Sequence, residues 1–439
     1  MTLTFLWTDI LIWLLVVAAI LWGTTLGRSP QIRAQWRDIF QSKIALASAV
    51  VLSVYFALAL LDSVHFKQPI ASADGKVHYS TELESGLDRL FSHLKSRQER
   101  TYSAPFATHE YSKSIVTDAE GNVQQLYLPL KHVNPNTSIA LTGVAVFGGL
   151  ALLLVGTYQW HRRKMDNAIP WKTAYLTLWL TLGLLIWAYT LSFSYHVFGT
   201  DKIGQDVFLQ TLKSIRTGVL IGVLTTLVML PFALLLGISA GYFKGWVDDA
   251  IQYLYTTLNS IPGVLLIAAA VLMMQVFMNN HPGWFETVQE RADLRLLFLI
   301  LILGITSWTG LCRMVRAETL KISQVEYVQA ARAFGVSHFK ILLSHILPNL
   351  MHIVIISIVL DFSGLVLAEA VLSYVGVGVD PTMNSWGNMI NQARLEMARD
   401  PMVWWSLLSA FIFMFCLVLA ANLFSDRVQT VLDPRNRKA

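Results

Sequence analysis

The chain has 439 residues and a formal net charge of +5, yet only 14% of it is Asp, Glu, Lys or Arg, against 54% apolar residues and a mean hydropathy of +0.52. That balance excludes an ordinary soluble domain and a disordered chain alike. The excess of basic residues does not point to nucleic acid, because no aromatic-and-basic recognition pattern accompanies it.

A membrane-crossing helix needs roughly 20 mostly apolar residues to traverse about 30 Å of hydrocarbon. In chain order, nine such runs fall near residues 5–23, 44–62, 138–158, 173–193, 217–240, 253–278, 295–311, 351–375 and 403–424. An all-α polytopic membrane protein is therefore expected. The first run has no basic leader, carries Asp9 early, and is followed by Arg28, Arg33 and Arg37 rather than a small-residue cleavage site, so it reads as a retained span.

The polar stretch over residues 63–137 reads as a small external α+β piece. Leu83, Leu87, Leu90, Phe91 and Leu94 predict an amphipathic helix over Thr81–Arg100. Ser114–Val116 and Gln124–Leu128 are expected to pair around an Asp118–Asn122 turn.

Four basic clusters orient the spans: Arg28, Arg33, Arg37 and Lys43; Arg162, Arg163, Lys164 and Lys172; Arg313, Arg316, Lys321, Arg332 and Lys340; and Arg427, Arg435, Arg437 and Lys438. With nine alternating spans all four fall on one side, which makes that side cytoplasmic, the N-terminus external and the C-terminus internal. Cys312 and Cys416 are the only cysteines; they offer neither a disulfide framework nor a zinc pattern and read as packing residues.

The most informative segment is Glu326–Asn349, a polar helical hairpin between two apolar runs. Ala330, Ala331 and Ala333 give one helix a small-residue face, and Gly335 supplies a turn that tolerates positive φ. A second short helix is expected, with Ile341, Leu342, Ile346 and Leu347 as its apolar positions, before Pro348 opens the next span. Other landmarks occur in a fixed order. They are Gly199-Thr200-Asp201-Lys202-Ile203-Gly204-Gln205-Asp206, then Gly241-Tyr242-Phe243-Lys244-Gly245-Trp246-Val247-Asp248, then Ser260-Ile261-Pro262. Ser307-Trp308-Thr309-Gly310, Leu367–Gly378, Ser385-Trp386-Gly387 and Leu432-Asp433-Pro434-Arg435 follow.

Taken together, these residues resemble the permease subunits of binding-protein-dependent ABC importers, in the dipeptide/oligopeptide/nickel branch and of the C type. The likeness is close over residues 194–439 and loose over 35–62. It departs in four places: Gln329 stands where the family carries Glu, His345 where many members carry Ile, Gln205 where it carries Arg, and Lys244 where it carries Gly. The resemblance implies a type I ABC importer transmembrane domain with extra N-terminal spans and a small external insertion. Residues 1–62 would form N-terminal spans and a cytoplasmic linker, 63–137 a periplasmic insertion, 138–193 an extra helix pair, and 194–439 the permease core with a coupling hairpin at 313–350. In that hairpin Glu326, Gln329, Ala330, Ala331, Arg332, Gly335 and Pro348 would face an ATPase subunit.

The implied partners are a second homologous permease, two ATPases, a periplasmic substrate-binding protein and the lipid of a bacterial inner membrane, with no nucleic acid. ATP and Mg would be bound by the ATPases, since this chain has no Gly-x-x-x-x-Gly-Lys-Ser/Thr loop and no cofactor or metal of its own is expected. The cargo implied is di- or oligopeptides, with nickel chelates and peptide antibiotics as alternatives. An intramembrane hydrolase would need a nucleophile with a base or a metal cluster inside the spans, and none stands out. A secondary transporter would leave the hairpin without a role. Asp361 and Glu369 lie inside an apolar run, where a carboxylate costs a few kcal/mol unless it faces protein or water. Both are candidates for the translocation path, Asp361 the deeper of the two; Glu369 also suits a structural hydrogen bond.

Overall fold

The computed structural model describes residues 2–26, 30–71, 77–117, 123–135, 137–162, 168–285 and 287–432. Arg28, Arg163, Lys164, the Asp118–Asn122 turn and the tail from Asp433, which holds Arg435, Arg437 and Lys438, lie outside these residues.

The chain opens with a strand, β1 (Thr2–Thr4), that composition gave no reason to expect, and passes into the apolar helix α1 (Trp7–Leu26). The polar helix α2 (Pro30–Phe40) leads to α3 (Lys43–Asp62), which Ser42 caps by accepting the Ala45 amide. Next come β2 (His65–Ala71) and β3 (Val77–Ser85), antiparallel, with β1 completing a β1-β2-β3 sheet in which Thr2 lies opposite Lys67.

Contrary to the single helix expected over Thr81–Arg100, β3 holds the chain as far as Ser85. Helix begins only there, because Ser85 and Asp88 cap each other's backbone amides in a capping box. Two short helices follow, α4 (Gly86–Leu90) and α5 (Ser92–Ser96), with Leu87, Phe91 and Leu94 buried and Leu90 exposed. The expected hairpin is present as β4 (Ser114–Thr117) against β5 (Val123–Leu126), with Ser114 opposite Leu126.

α6 (Ile139–His161) and α7 (Trp171–Leu191) form a pair held by the Trp179 indole, which donates to the Phe147 carbonyl at 2.9 Å. No residue of α6 is buried within the chain, so its apolar surface is left uncovered by the described residues.

The remainder winds around α8 (Val207–Phe243), which Asp206 starts by accepting the Phe208 and Leu209 amides. It continues through α9 (Gly245–Ser260), α10 (Gly263–Asn280), α11 (Val288–Ser307), α12 (Thr309–Ile322), α13 (Glu326–Ala333), α14 (His338–Ile341), α15 (Leu347–Tyr374), α16 (Trp386–Glu396) and α17 (Trp405–Leu432). Among the described residues eight helical stretches are long and apolar enough to cross a membrane, and α1 is apolar over the shorter Trp7–Leu21.

The span expected at 253–278 starts later than its hydropathy suggests. α9 ends at Ser260, Ile261 is extended as the residue before a proline prefers to be, and the crossing helix begins at Gly263 after Pro262. α9 instead buries only Ile251 and Tyr255 and exposes Trp246 and Tyr253, as suits a helix lying at the membrane surface.

Near the insertion, Phe208, Leu212, Ile215 and Val219 of α8 pack with Trp386, Trp405 and Val366. Near the hairpin, Met229, Ala233 and Ile238 pack with Cys312, Val315, Ile341 and Leu350. There α8 and α12 meet almost backbone to backbone. A Cβ on Gly237 would sit 2.8 Å from the Cys312 carbonyl oxygen, and one on Gly241 would sit 2.7 Å from that of Arg316. Cys312 is thus a buried packing residue, whereas Cys416 is exposed on α17.

Candidate functional site

The hairpin at α13 and α14 is built from a short buried seam and a broad exposed face. Val328, Ile341, Ile346 and Leu350 form the seam, packed on Leu311, Val315 and Ile322 of α12 and its neighbours. Helix α13 ends in a Schellman motif: the Gly335 amide donates to the Arg332 carbonyl and that of Val336 to the Ala331 carbonyl, both at 3.1 Å, with Gly335 at φ +75°. Ala331 packs partly on the seam, while Glu326, Gln329, Ala330 and Arg332 are exposed. Gln329 is turned back, its amide donating to the Gln324 carbonyl at 3.0 Å.

On either side of the glycine turn, Phe334 is 86% exposed and Phe339 72%. Scattered apolar exposure is normal, but here two phenyl rings flank a single polar turn and form an exposed knob. The second hairpin helix, expected to stand apart, is continuous with the next span: α14 runs through a single π turn, Leu342–Ile346, into α15, with Pro348 its second residue.

Two contacts tie the hairpin region to the turn between α8 and α9. Tyr242 Oη lies 2.8 Å from His338 Nδ1, and Arg316 donates to both oxygens of Asp248 at 2.5 and 2.6 Å. Lys244, in place of glycine, holds φ +56° in that turn, a conformation costly for a residue with a Cβ.

At the other end of α8, the Gly199–Asp206 motif clasps the insertion. Thr200 donates its amide to the Ser103 carbonyl at 3.1 Å and accepts the Ser103 amide on its hydroxyl at 2.7 Å; the Glu99 amide donates to the Gly204 carbonyl at 3.0 Å. Gly199 and Gly204, at φ +71° and +75°, press so close to the Ser103 and Glu99 carbonyls that no Cβ would fit. His196 seals the clasp, with Nδ1 2.8 Å from Asp206 and Nε2 3.6 Å from Glu99, its side chain only 4% exposed. Burial alone would lower the imidazole pKa, but the Asp206 and Glu99 carboxylates outweigh it and raise it.

A raised folded-state pKa means the clasp is strongest below the ordinary imidazole value of about 6.5 and weakens as pH climbs through the folded value. Hydrogen-exchange protection of the Ser103 and Thr200 amides, corrected for intrinsic rate, should therefore fall on the alkaline side in the native chain. It should become flat with pH in His196→Gln.

Beside the clasp lies a buried ionic node that sequence reasoning missed. Arg216 of α8 donates to Asp9 of α1 at 2.6 Å, to the Thr8 hydroxyl at 3.1 Å and to the Ser63 hydroxyl at 3.3 Å; Asp293 of α11 lies 3.7 Å away. Asp293 also accepts the Thr8 amide and hydroxyl, and His65 of β2 pairs with Asp9 at 2.7 Å. One turn along, Lys213 grips both oxygens of Asp88 at 2.7 Å. Burial tends to raise the Asp88 pKa, but Lys213 overrides it and holds the carboxyl below its usual range. The available signal was the presence of Lys213 and Arg216 at one helical face of an otherwise apolar helix, with Asp9 and Asp293 in other spans. Between this node and the clasp opens a cavity of about 510 Å³, walled by the ends of α8 and α11 on one side and by the insertion on the other.

Neither intramembrane carboxylate joins this cavity. Glu369 is buried at the joint of α15 and α16, accepting the Ser373 hydroxyl at 2.7 Å. Asp361 is half-buried on α15, and among the described residues no hydrogen bond or ion pair engages it.

Comparison with known proteins places the chain in a family. Residues 233–438 match the family described as the binding-protein-dependent transport system inner membrane component. The glutathione transport system permease protein GsiD of Pectobacterium atrosepticum is 31% identical over 55% of this chain and 73% of its own length. The dipeptide permease DppC of Bacillus subtilis is 31% identical over 55% and 70%, and the oligopeptide permease OppC of Mycobacterium tuberculosis 32% over 55% and 77%. An inward-facing structure of the MetNI methionine ABC transporter aligns at 18% identity and a TM-score of 0.38 over 50% of this chain and 93% of that one, too loosely to carry weight. The chain belongs to the family of binding-protein-dependent transport system inner membrane components and is a multi-span ABC transporter permease subunit.

Proposed function

We propose that this permease is one of two related membrane subunits of an ATP-driven importer whose cargo is di- and oligopeptides. The observation that carries the reading is the knob of Phe334, Gly335 and Phe339, presented to the outside by a hairpin whose other face is packed on α12. The names of GsiD, DppC and OppC support peptides as the cargo.

In this reading the hairpin and C-terminus face the cytoplasm of a bacterial cell and the insertion and N-terminus face the periplasm, with lipid along α6. The chain is not itself catalytic. Two partner ATPases bind ATP and Mg and grip the hairpin through Glu326, Gln329, Ala330, Ala331, Arg332 and the turn at Gly335, with Pro348 at the junction of the hairpin and α15. A soluble binding protein delivers the peptide. Closure of the ATPase pair displaces α13, and the backbone-close contact of α12 with Gly237 and Gly241 passes the displacement to α8. Such coupling requires that the partner bind one of two permease states more tightly than the other. Asp361, with no partner among the described residues, is the carboxylate assigned to the path, with Glu369 behind it.

The test is reconstitution in proteoliposomes with the partner permease, ATPases and binding protein. Peptide-loaded binding protein should stimulate ATP hydrolysis and peptide uptake together. Uptake of a nickel chelate but of no peptide would overturn the cargo, and uptake driven by an ion gradient without ATP would overturn the motor.

A further inference from the structure

We propose that the cavity of about 510 Å³ between the insertion and the ends of α8 and α11 is a binding site for short zwitterionic peptides, with the insertion as one of its walls. The proposal rests on the peptide reading above and adds to it a place in this chain where the cargo is held.

The volume lies within the range of about 300–1,000 Å³ usual for small-ligand sites. One face of α8 is given over to it, with Gln210, Lys213 and Thr217 at helical spacing. Gln289 of α11 and Asn384 of the loop before α16 approach from the core, and Lys95 and Gln98 from the insertion.

The chemistry of this lining selects a ligand class. Acids and bases are both present and largely paired with each other, as in Lys213 with Asp88, so the site has no strong net charge with which to hold a polyanion or a cation. Among the described residues no cluster of His, Cys, Asp and Glu is able to hold a metal ion. What the lining offers instead is side-chain amides, each both donor and acceptor, which is what a peptide backbone requires. Among the described residues the amide groups of Gln289 and Asn384 make no hydrogen bond, although both line the cavity. A ligand with no net charge, such as a short zwitterionic peptide, suits a lining whose charges are already compensated: Lys95 lies 3.5 Å from Glu84, and the buried Asp62 accepts the Ser85 hydroxyl.

This arrangement gives the insertion a direct part in handling cargo. The two walls are fixed relative to each other by Lys213–Asp88 and, through Asp9 of α1, by Arg216 and His65, so the cavity is pre-formed rather than assembled by the ligand.

The test uses the assembled transporter with Gln289→Cys in a Cys312→Ser, Cys416→Ser background, labelled by a membrane-impermeant maleimide. A peptide mixture from digested casein should slow labelling by about tenfold, the equivalent of 1.4 kcal/mol of occupancy, whereas a neutral disaccharide should not. Filling the space with Gln289→Trp should cut peptide uptake by a similar factor while the ATPases still copurify. Peptide uptake retained, with neither protection of Gln289→Cys nor an effect of Gln289→Trp, overturns the site and leaves the cargo reading standing. Absence of any peptide uptake, with labelling unchanged, overturns both.

Discussion

Gly335→Asp is expected to abolish transport and to release the ATPases, while the permease still inserts and purifies. The residue sits at φ +75° with no atom within 4 Å of where a Cβ would lie, so the substitution meets strain but no clash. That strain is about 1–2 kcal/mol, and Asp is among the residues that bear this conformation best. The larger effect is a carboxylate placed between Phe334 and Phe339, on the surface assigned to the partner.

A double substitution, Phe334→Ala with Phe339→Ala, separates docking from strain, since neither ring is needed to fold the hairpin seam. Buried aromatic anchors at interfaces are worth about 2 kcal/mol or more each. Copurification of the ATPases, read by quantitative blot against the permease, should therefore fall by more than about tenfold. Normal copurification and uptake in both variants would show that the knob is not the docking surface.

Arg216→Met should be the most damaging single change at the insertion side. It leaves Asp293 without a cation and Asp9 with only His65, both carboxylates wholly buried. Removing one partner of a buried ion pair costs about 3–5 kcal/mol, because the remaining charge keeps its desolvation penalty. Thermal unfolding in detergent should shift accordingly, and the insertion should become open to proteases as α1 loses its hold on α8. The triple variant Arg216→Met, Asp9→Asn, Asp293→Asn removes the stranded charges and should recover most of the loss. A single variant as stable as the native chain would mean that the node is not what binds the front of the chain to its core.

The unevenness of what the sequence disclosed has physical causes. The hairpin was legible because its determinants are local: apolar residues at helical spacing, three alanines, and a glycine where a helix must end with positive φ. The hydropathy of 253–278 misled because a window averages across Pro262, whose effect is felt at the single residue Ile261. Thr81–Arg100 was misread because Leu83, Leu87 and Leu94 satisfy helical spacing equally well in two short helices and a strand. What decides is the pairing of Leu83 with Lys67, a non-local register that spacing does not encode. The bases of the Arg216 node stand out in the apolar run of α8, but their pairing does not, the closest acid lying 207 residues away.

Helix α8 carries the clasp and Arg216 toward one end and the close approach to α12 at the other, a rod of 37 residues and so about 55 Å. A rigid rod of that length would turn a swing of about 5° at the hairpin into roughly 5 Å of travel at the far tip. Pro231 interrupts it, leaving the Leu227 carbonyl without its usual donor. In the importer proposed above, the stiffness of that one joint sets how much of the ATPases' stroke reaches the proposed peptide cavity and how much is absorbed on the way.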